Sequence, residues 1–253
     1  MKENQKNLFI ISILFFLFGF ITNLNDILIP HLKRACELND FQSAFVQFAF
    51  FGAYFLVSIP AARIIKFTGY KNGIVIGLSI CALGALLFIP AANTRMYQLF
   101  LLGLAVLASG ITLLQVAANP YVSLLGAPDK AASRLSLMGG LNSLGASLAP
   151  FAGGILILSA VEFTASQIGA LPATEKLNFL NSQATMVIMP YTVLAGFLAC
   201  LAALIYFARL PHIQAETGVE TEKMSFSLSD YPELYYGIAA IFCYVGEIGR
   251  AHV

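Results

Sequence analysis

The sequence predicts an all-α membrane protein, a bundle of helices that cross a lipid bilayer. Of its residues, 58% are hydrophobic and only 11% are charged, whereas soluble domains carry about 25% charged residues. Several apolar stretches are long enough to cross about 30 Å of hydrocarbon. Prolines recur at Pro30, Pro60, Pro90 and Pro120. These positions lie near the ends of the apolar stretches, where a missing backbone N–H is easiest to tolerate.

We predict six membrane spans in order along the chain, at 8–30, 44–63, 73–92, 98–120, 137–160 and 184–208, and a seventh that begins near 234. The first span is expected to be retained, because no signal-peptide cleavage site follows it. The predicted domains are a six-helix transmembrane bundle over 1–208, a cytoplasmic inter-domain loop over 209–233, and the start of a seventh helix over 234–246. The longest connections within and after the bundle, 161–183 and 209–233, are polar.

Basic residues near the span ends predict the orientation. With the N-terminus inside, the inner segments hold nine lysines and arginines and the outer loops hold four, which favours a cytoplasmic N-terminus. Spans one to three also match spans four to six weakly at an offset of 90 positions. Such a match is typical of an inverted repeat, although a regular helix-plus-loop period produces the same coincidence.

The first span contains polar residues, including a carboxylate, inside an apolar run. Residues 8–21 carry no charge, and Thr22, Asn23, Asn25 and Asp26 follow inside the same apolar run. A charged side chain near a bilayer centre costs about 3 kcal/mol, so it normally faces a water-filled pathway. Thr22, Asn23 and Asp26 share one helical face. The face predicts a solute pathway lined by the first span, with Asp26 as its titratable group.

Span four carries a second polar stripe, because Thr112, Gln115 and Asn119 recur at i, i+3 and i+7. Amide side chains both donate and accept hydrogen bonds, which suits a hydroxyl-rich solute. The same amides also hold neighbouring helices together in many membrane proteins. Both interpretations of Gln115 and Asn119 remain open from the sequence.

Spans two and five supply the remaining predicted binding residues. Gln47 and Tyr54 are seven residues apart on one face of span two. Tyr54 can stack on a sugar ring and bond to its hydroxyls, although buried tyrosines also serve simply as packing. Asn142 in span five is the position there that we expect to face a ligand. Small residues around it predict close helix packing, at Gly145, Ala149 and Gly153.

Other functional classes find little support. No catalytic motif is present, so we expect no catalytic residue and no enzyme. The four cysteines lack the spacing of a metal or redox site, so no metal or cofactor is expected. No basic cluster predicts nucleic-acid binding. His31, just past Pro30, is predicted to be a solvated interfacial histidine, with a role as a proton relay as the alternative.

Five runs of sequence carry a family resemblance: FFLFGFITNLNDILIPHLK, FQSAFVQFAFFGAYFL, GYKNGIVIGLSICALGALLFIPAA, LLQVAANPYVSLLG and NSLGASLAP. Together they resemble the fucose:proton symporter family of the major facilitator superfamily. The resemblance covers residues 8–160 and returns at FCYVG, residues 242–246. LLQVAANP has a glutamine as its third residue, and in this respect the chain resembles the glucose/galactose branch of that family.

The resemblance implies a fold and an activity. The fold would have two six-helix halves, each a three-plus-three inverted repeat. The activity would be proton- or sodium-coupled uptake of a monosaccharide such as glucose, galactose or fucose across a bacterial inner membrane. Asn23 and Asp26 match the family's polar pair in the first helix, where the resemblance implies that the pair binds the sugar and that the acid couples transport to the cation. Asn142 matches a cavity-facing amide in the fifth helix. Gln115 replaces a second family acid, which leaves both proton and sodium coupling open. Gly139 stands where the family commonly has a glutamine.

The resemblance also implies that a family member continues beyond FCYVG. We therefore expect this chain to be the N-terminal half with the start of helix seven, and to need a C-terminal half as its partner, together with the lipid bilayer. Residues 247–253, EIGRAHV, are expected to be a non-native tail translated from a sequencing adaptor. The 253 residues alone are expected not to transport. A non-transporting sugar receptor or scaffold and an intramembrane enzyme remain as alternatives.

Overall fold

The computed structural model describes residues 2–156 and 171–208, together with Tyr236, Gly237, Ala240 and Cys243. The chain divides into two compact units, Met1–Ala215 and Glu216–Val253. In the second unit the four described residues are helical. The predicted loop 209–233, most of 234–246 and the predicted tail 247–253 lie outside the described residues.

The described part of the chain is helical and contains no strand, which confirms the predicted all-α class. The helices are α1 (Lys2–Ala35), α2 (Asp40–Leu86), α3 (Phe88–Thr94), α4 (Tyr97–Leu124), α5 (Ala131–Leu156), α6 (Ala173–Thr185) and α7 (Ile188–Phe207), with a 3₁₀ turn at Pro128–Lys130. Four stretches of the described residues are long and apolar enough to cross a membrane: Asn7–Ala35, Asp40–Thr94, Tyr97–Leu124 and Ala173–Phe207.

Helix α2 is a hairpin of two membrane-length arms. Gly69 has φ 78° and ψ 166°, a conformation that glycine adopts readily and other residues do not. A Cβ added to Gly73 would lie 3.0 Å from Cγ1 of Ile65, although positions eight apart on a straight helix are separated by about 12 Å. The chain therefore reverses at Gly69, between a first arm (40–68) and a second arm (70–86). The connection predicted between the spans 44–63 and 73–92 is too long, because only Gly69 within it leaves the helical conformation.

The second arm of α2 packs antiparallel to α4 through small residues. A Cβ added to Gly110 would lie 2.6 Å from the backbone nitrogen of Cys81, and one added to Gly84 would lie 2.5 Å from that of Leu107. Both distances are shorter than a Cβ can tolerate, so the two backbones touch. This contact forms the centre of the buried core, where helices α3 and α7 also pack.

Helices α1 and α5 run parallel with their backbones in contact. A Cβ added to Gly19 would overlap the carbonyl oxygen of Asn142, and one added to Gly145 would overlap that of Phe16. Further along, a Cβ on Gly153 would lie 2.5 Å from Cδ1 of Ile27. The row of small residues in the fifth predicted span therefore does bring two helices together.

Helix α6 begins inside the polar connection predicted over 161–183 and ends two residues beyond it, at Thr185. It buries Leu180 and Ala184 and packs against α1 and α3. It also covers His31, which is only 2% exposed and lies with Nε2 2.8 Å from the backbone carbonyl oxygen of Gln183. The prediction of a solvated His31 is therefore wrong, because it took no account of a helix over the end of α1.

The two ends of the bundle carry different contacts. At the end where α1 and α3 finish, Arg95 donates two hydrogen bonds to the carbonyl of Ala35, at 3.2 and 2.9 Å. At the opposite end Lys71, two residues after the Gly69 turn, donates to the carbonyls of Tyr206 and Ala208 at 3.0 and 2.8 Å. The α2 hairpin and the end of α7 are thereby tied together on the side where α1 begins.

Candidate functional site

Asp26 lies deep within the first apolar stretch. The middle of Asn7–Ala35 is residue 21, so Asp26 is about 7.5 Å from it along the helix axis at 1.5 Å per residue. Half of the hydrocarbon thickness is about 15 Å. The side chain is exposed at the surface of the bundle, and it has no hydrogen-bond or ion-pair partner among the described residues. The carboxyl group is therefore available to a ligand.

One turn before Asp26, Thr22 connects α1 to the first arm of α2. The hydroxyl of Tyr54 faces Thr22, but no hydrogen bond of good geometry joins them. Thr22 instead donates to the carbonyl of Phe18 at 2.8 Å. Tyr54 also packs against aromatic rings, with centroid distances of 5.4 Å to Phe50 and 6.2 Å to Phe51. The structure thus brings Asp26, Thr22 and Tyr54 into one region, while packing contributes to the role of Tyr54.

Asn23 and Asn142 both lie at the close crossing of α1 and α5. Asn23 donates to the carbonyl of Gly19 at 3.0 Å, and the backbone of Asn142 touches Gly19 from the other side. The side chain of Asn142 donates to the carbonyl of Phe15 at 3.4 Å, the long end of hydrogen-bond geometry. Each amide keeps an oxygen and one N–H free of these bonds.

The polar stripe of span four divides between core and surface. Thr112 is buried and donates to the carbonyl of Ala108 at 2.8 Å, so its predicted place in a shared pathway stripe is wrong. Gln115 is half-buried and Asn119 is exposed, and neither has a side-chain hydrogen bond within the described residues. Gln47 is exposed on the first arm of α2, about 10 Å along the axis from Tyr54.

Neither of two well-formed cavities contains a predicted site residue. One, of about 370 Å³, is an apolar groove between α1 and α7. The other, of about 430 Å³, lies at the start of α5. The predicted residues lie instead on α1, α2, α4 and α5, and the exposed ones among them are Asp26, Gln47 and Asn119.

Asn25 is the residue that the sequence left out of the site. It is only 1% exposed, and neither atom of its amide has a hydrogen-bond partner among the described residues. Burying an unpaired amide in apolar surroundings costs several kcal/mol. The signal was present in the run of polar residues around Asp26, but helical periodicity alone does not separate the buried Asn25 from the exposed Asp26.

Residues 11–248 match the sequence profile of the Major Facilitator Superfamily. The chain belongs to this family. With the apolar helices described above, membership makes it a multi-pass membrane protein.

Individual relatives confirm the resemblance seen in the sequence. The chain is 48% identical over 248 residues to the glucose/galactose transporter of Brucella abortus, covering 96% of this chain and 57% of the relative. It is 38% identical over 239 residues to the L-fucose-proton symporter of Escherichia coli, covering 92% of this chain and 55% of the relative. The crystal structure of an alanine variant of the E. coli fucose:proton symporter superposes with a TM-score of 0.80 at 35% identity, covering 96% of this chain and 60% of that one. The chain therefore spans a little over half the length of these relatives.

Proposed function

We propose that the protein to which these residues belong carries a monosaccharide across a bacterial inner membrane by alternating access, coupled to a proton or a sodium ion. The observation that carries the proposal is Asp26, a carboxylate at hydrocarbon depth that is exposed and unpartnered within the described residues. The names of the relatives, a glucose/galactose transporter and an L-fucose-proton symporter, support a hexose or fucose as the substrate.

Asp26 links the cation to the change of access through its charge. An ionised carboxylate at this depth costs about 3 kcal/mol if it meets hydrocarbon. A bound proton or sodium ion neutralises it, so the loaded protein closes around the site at lower cost than the empty, charged one. The carboxylate oxygens also accept hydrogen bonds from the sugar. Sugar and cation are therefore taken up together.

The amides around Asp26 bind the sugar hydroxyls. Asn23 and Asn142 offer their free oxygens and N–H groups on the α5 side of α1. Tyr54 lies on the α2 side, where its hydroxyl is buried and unpaired among the described residues and its ring packs against Phe50 and Phe51. Gln115 and Asn119 extend this polar face on α4. Because Gln115 is an amide, it supplies no second proton site, and Asp26 alone carries the coupling in this half.

The close contact of α1 and α5 supports movement of this half as one body. Backbones that touch at Gly19 and Gly145 leave no room for the helices to slide. We propose that the bundle over 1–208 moves against a second half, with the N-terminus in the cytoplasm. Lys71, Lys130 and Arg134 lie at the end where α1 begins, which supports that orientation.

Counterflow tests the proposal directly. A family-length protein containing this half is reconstituted in proteoliposomes loaded with unlabelled hexose, and entry of labelled glucose, galactose or fucose is followed with and without sodium. We expect exchange of at least one of these sugars. Binding of sugar without any exchange would contradict transport and favour a receptor.

A further inference from the structure

The cavity of about 430 Å³ at the start of α5 has no part in the proposed transport. It lies between the first residues of α1, the loop after α4 and the first turns of α5. Its lining combines two basic side chains and one hydroxyl with three leucines: Leu8, Leu125, Gly126, Lys130, Ser133, Arg134 and Leu137.

The cavity lies at the edge of the hydrocarbon layer. Two apolar stretches end beside it, because the apolar run of α1 begins at Leu8, directly after Lys6 and Asn7, and Tyr97–Leu124 ends one residue before Leu125. Residues at the ends of membrane-length helices meet the lipid headgroups. The lining therefore has hydrocarbon on one side and headgroups on the other.

Arg134 is held in place and still has capacity for a ligand. Its guanidinium donates to the carbonyls of Val122, Ser123 and Ala127 at 3.0, 2.7 and 2.9 Å. These three bonds use three of its five N–H groups, and neutral carbonyls do not cancel its charge. The loop between α4 and α5 thus presents a fixed positive charge to the cavity.

Lys130 and Ser133, together with Arg134, form the polar wall of the cavity. Both are exposed, and neither side chain has a hydrogen-bond partner within the described ranges. Asp129 is the neighbouring acid, and it does not line the cavity. Two cations and a hydroxyl therefore stand beside the three leucines, with no anion among the lining residues that the structure describes.

We propose that this cavity binds an anionic phospholipid. The phosphate lies against Lys130, Arg134 and the hydroxyl of Ser133, and an acyl chain runs along Leu8 and Leu137. Free phosphate shares the headgroup chemistry, but it would leave the leucine wall unused. An acidic protein segment would match the cations, whereas the depth at the hydrocarbon edge and the leucines favour a lipid.

Native mass spectrometry of the detergent-purified chain tests this site. Phosphatidylglycerol or phosphatidylcholine is titrated into the wild type, Lys130→Gln and Lys66→Gln. Lys66 is a matched control, because it is an exposed lysine near the Gly69 turn at the same end of the bundle and does not line the cavity. A surface lysine contributes about fivefold to binding of an anionic lipid. We expect Lys130→Gln to weaken phosphatidylglycerol binding by about that factor, and Lys66→Gln to leave it unchanged.

Three results would overturn the proposal. Equal binding of phosphatidylglycerol by Lys130→Gln and the wild type would remove the headgroup contact. Equal affinity of the wild type for the two lipids would show that charge is not recognised. Displacement of phosphatidylglycerol by millimolar inorganic phosphate would assign the site to free phosphate. Ser133→Leu, which puts an apolar side chain where the phosphate lies, provides a second variant and should weaken phosphatidylglycerol binding while phosphatidylcholine binding stays the same.

Discussion

Replacing Gly145 with alanine tests the contact that holds α5 against α1. The new methyl group would overlap the carbonyl oxygen of Phe16 and lie 3.0 Å from its carbonyl carbon and 3.1 Å from the backbone nitrogen of Phe20. Backbone atoms do not rotate away as a side chain would, so the helices must part. Overpacking costs about 1–3 kcal/mol, and we take the upper end here. Alanine gains about 1 kcal/mol over glycine in a helix, which leaves a net loss of about 2 kcal/mol.

Circular-dichroism melting of the purified chain in detergent measures this loss. For a chain of this size 2 kcal/mol corresponds to a fall in Tm of roughly 4–8 °C. Gly140→Ala is the matched control in the same helix, because nothing lies within 4 Å of a Cβ at Gly140. Its Tm should stay the same or rise. Equal shifts of Tm in the two variants would refute the α1–α5 contact.

Two further predictions concern the end of the bundle that α6 covers. His31→Phe keeps an aromatic ring but removes the hydrogen bond to the Gln183 carbonyl, so it should destabilise the chain by about 1 kcal/mol; an unchanged Tm would contradict that contact. Labelling of Cys36 tests the predicted orientation of the chain in the membrane. Burial raises the pKa of its thiol, and the charge of Arg95 opposes this more weakly. Since the thiolate reacts, labelling of intact cells by an impermeant maleimide should be slow at pH 7 and rise about tenfold per pH unit above it. Cys36→Ser gives the background, and labelling only after permeabilisation would contradict an outward-facing Cys36.

Much of the fold could be predicted from hydropathy, because a span needs a long apolar stretch whatever its neighbours are. Within the described residues helices occupy the six predicted spans, the fifth of which is described only as far as Leu156. The small residues around Gly145 correctly predicted a close crossing. Helix α6 was not predicted as a helix, because its sequence is polar. It is held by contacts with α1 and α3, which no local pattern reveals.

The candidate site was harder to predict for a related reason. Periodicity shows which residues share a helical face, but not which neighbour that face meets. Thr112 was grouped with Gln115 although it is buried, and Asn25 was left out although its amide is buried and unpaired among the described residues. The role of Asp26 was easier to predict, because a carboxylate at hydrocarbon depth is costly whichever helices pack around it.

Accumulation of labelled sugar by the Asp26→Asn variant tests the central claim most directly. The variant is made in a family-length protein containing this half and compared with the wild type in proteoliposomes under an imposed proton or sodium gradient. Because asparagine cannot take up a proton and carries no charge for a cation, we expect accumulation to fall at least tenfold while counterflow exchange continues. Accumulation equal to that of the wild type, with the same dependence on the cation gradient, would contradict the role of Asp26.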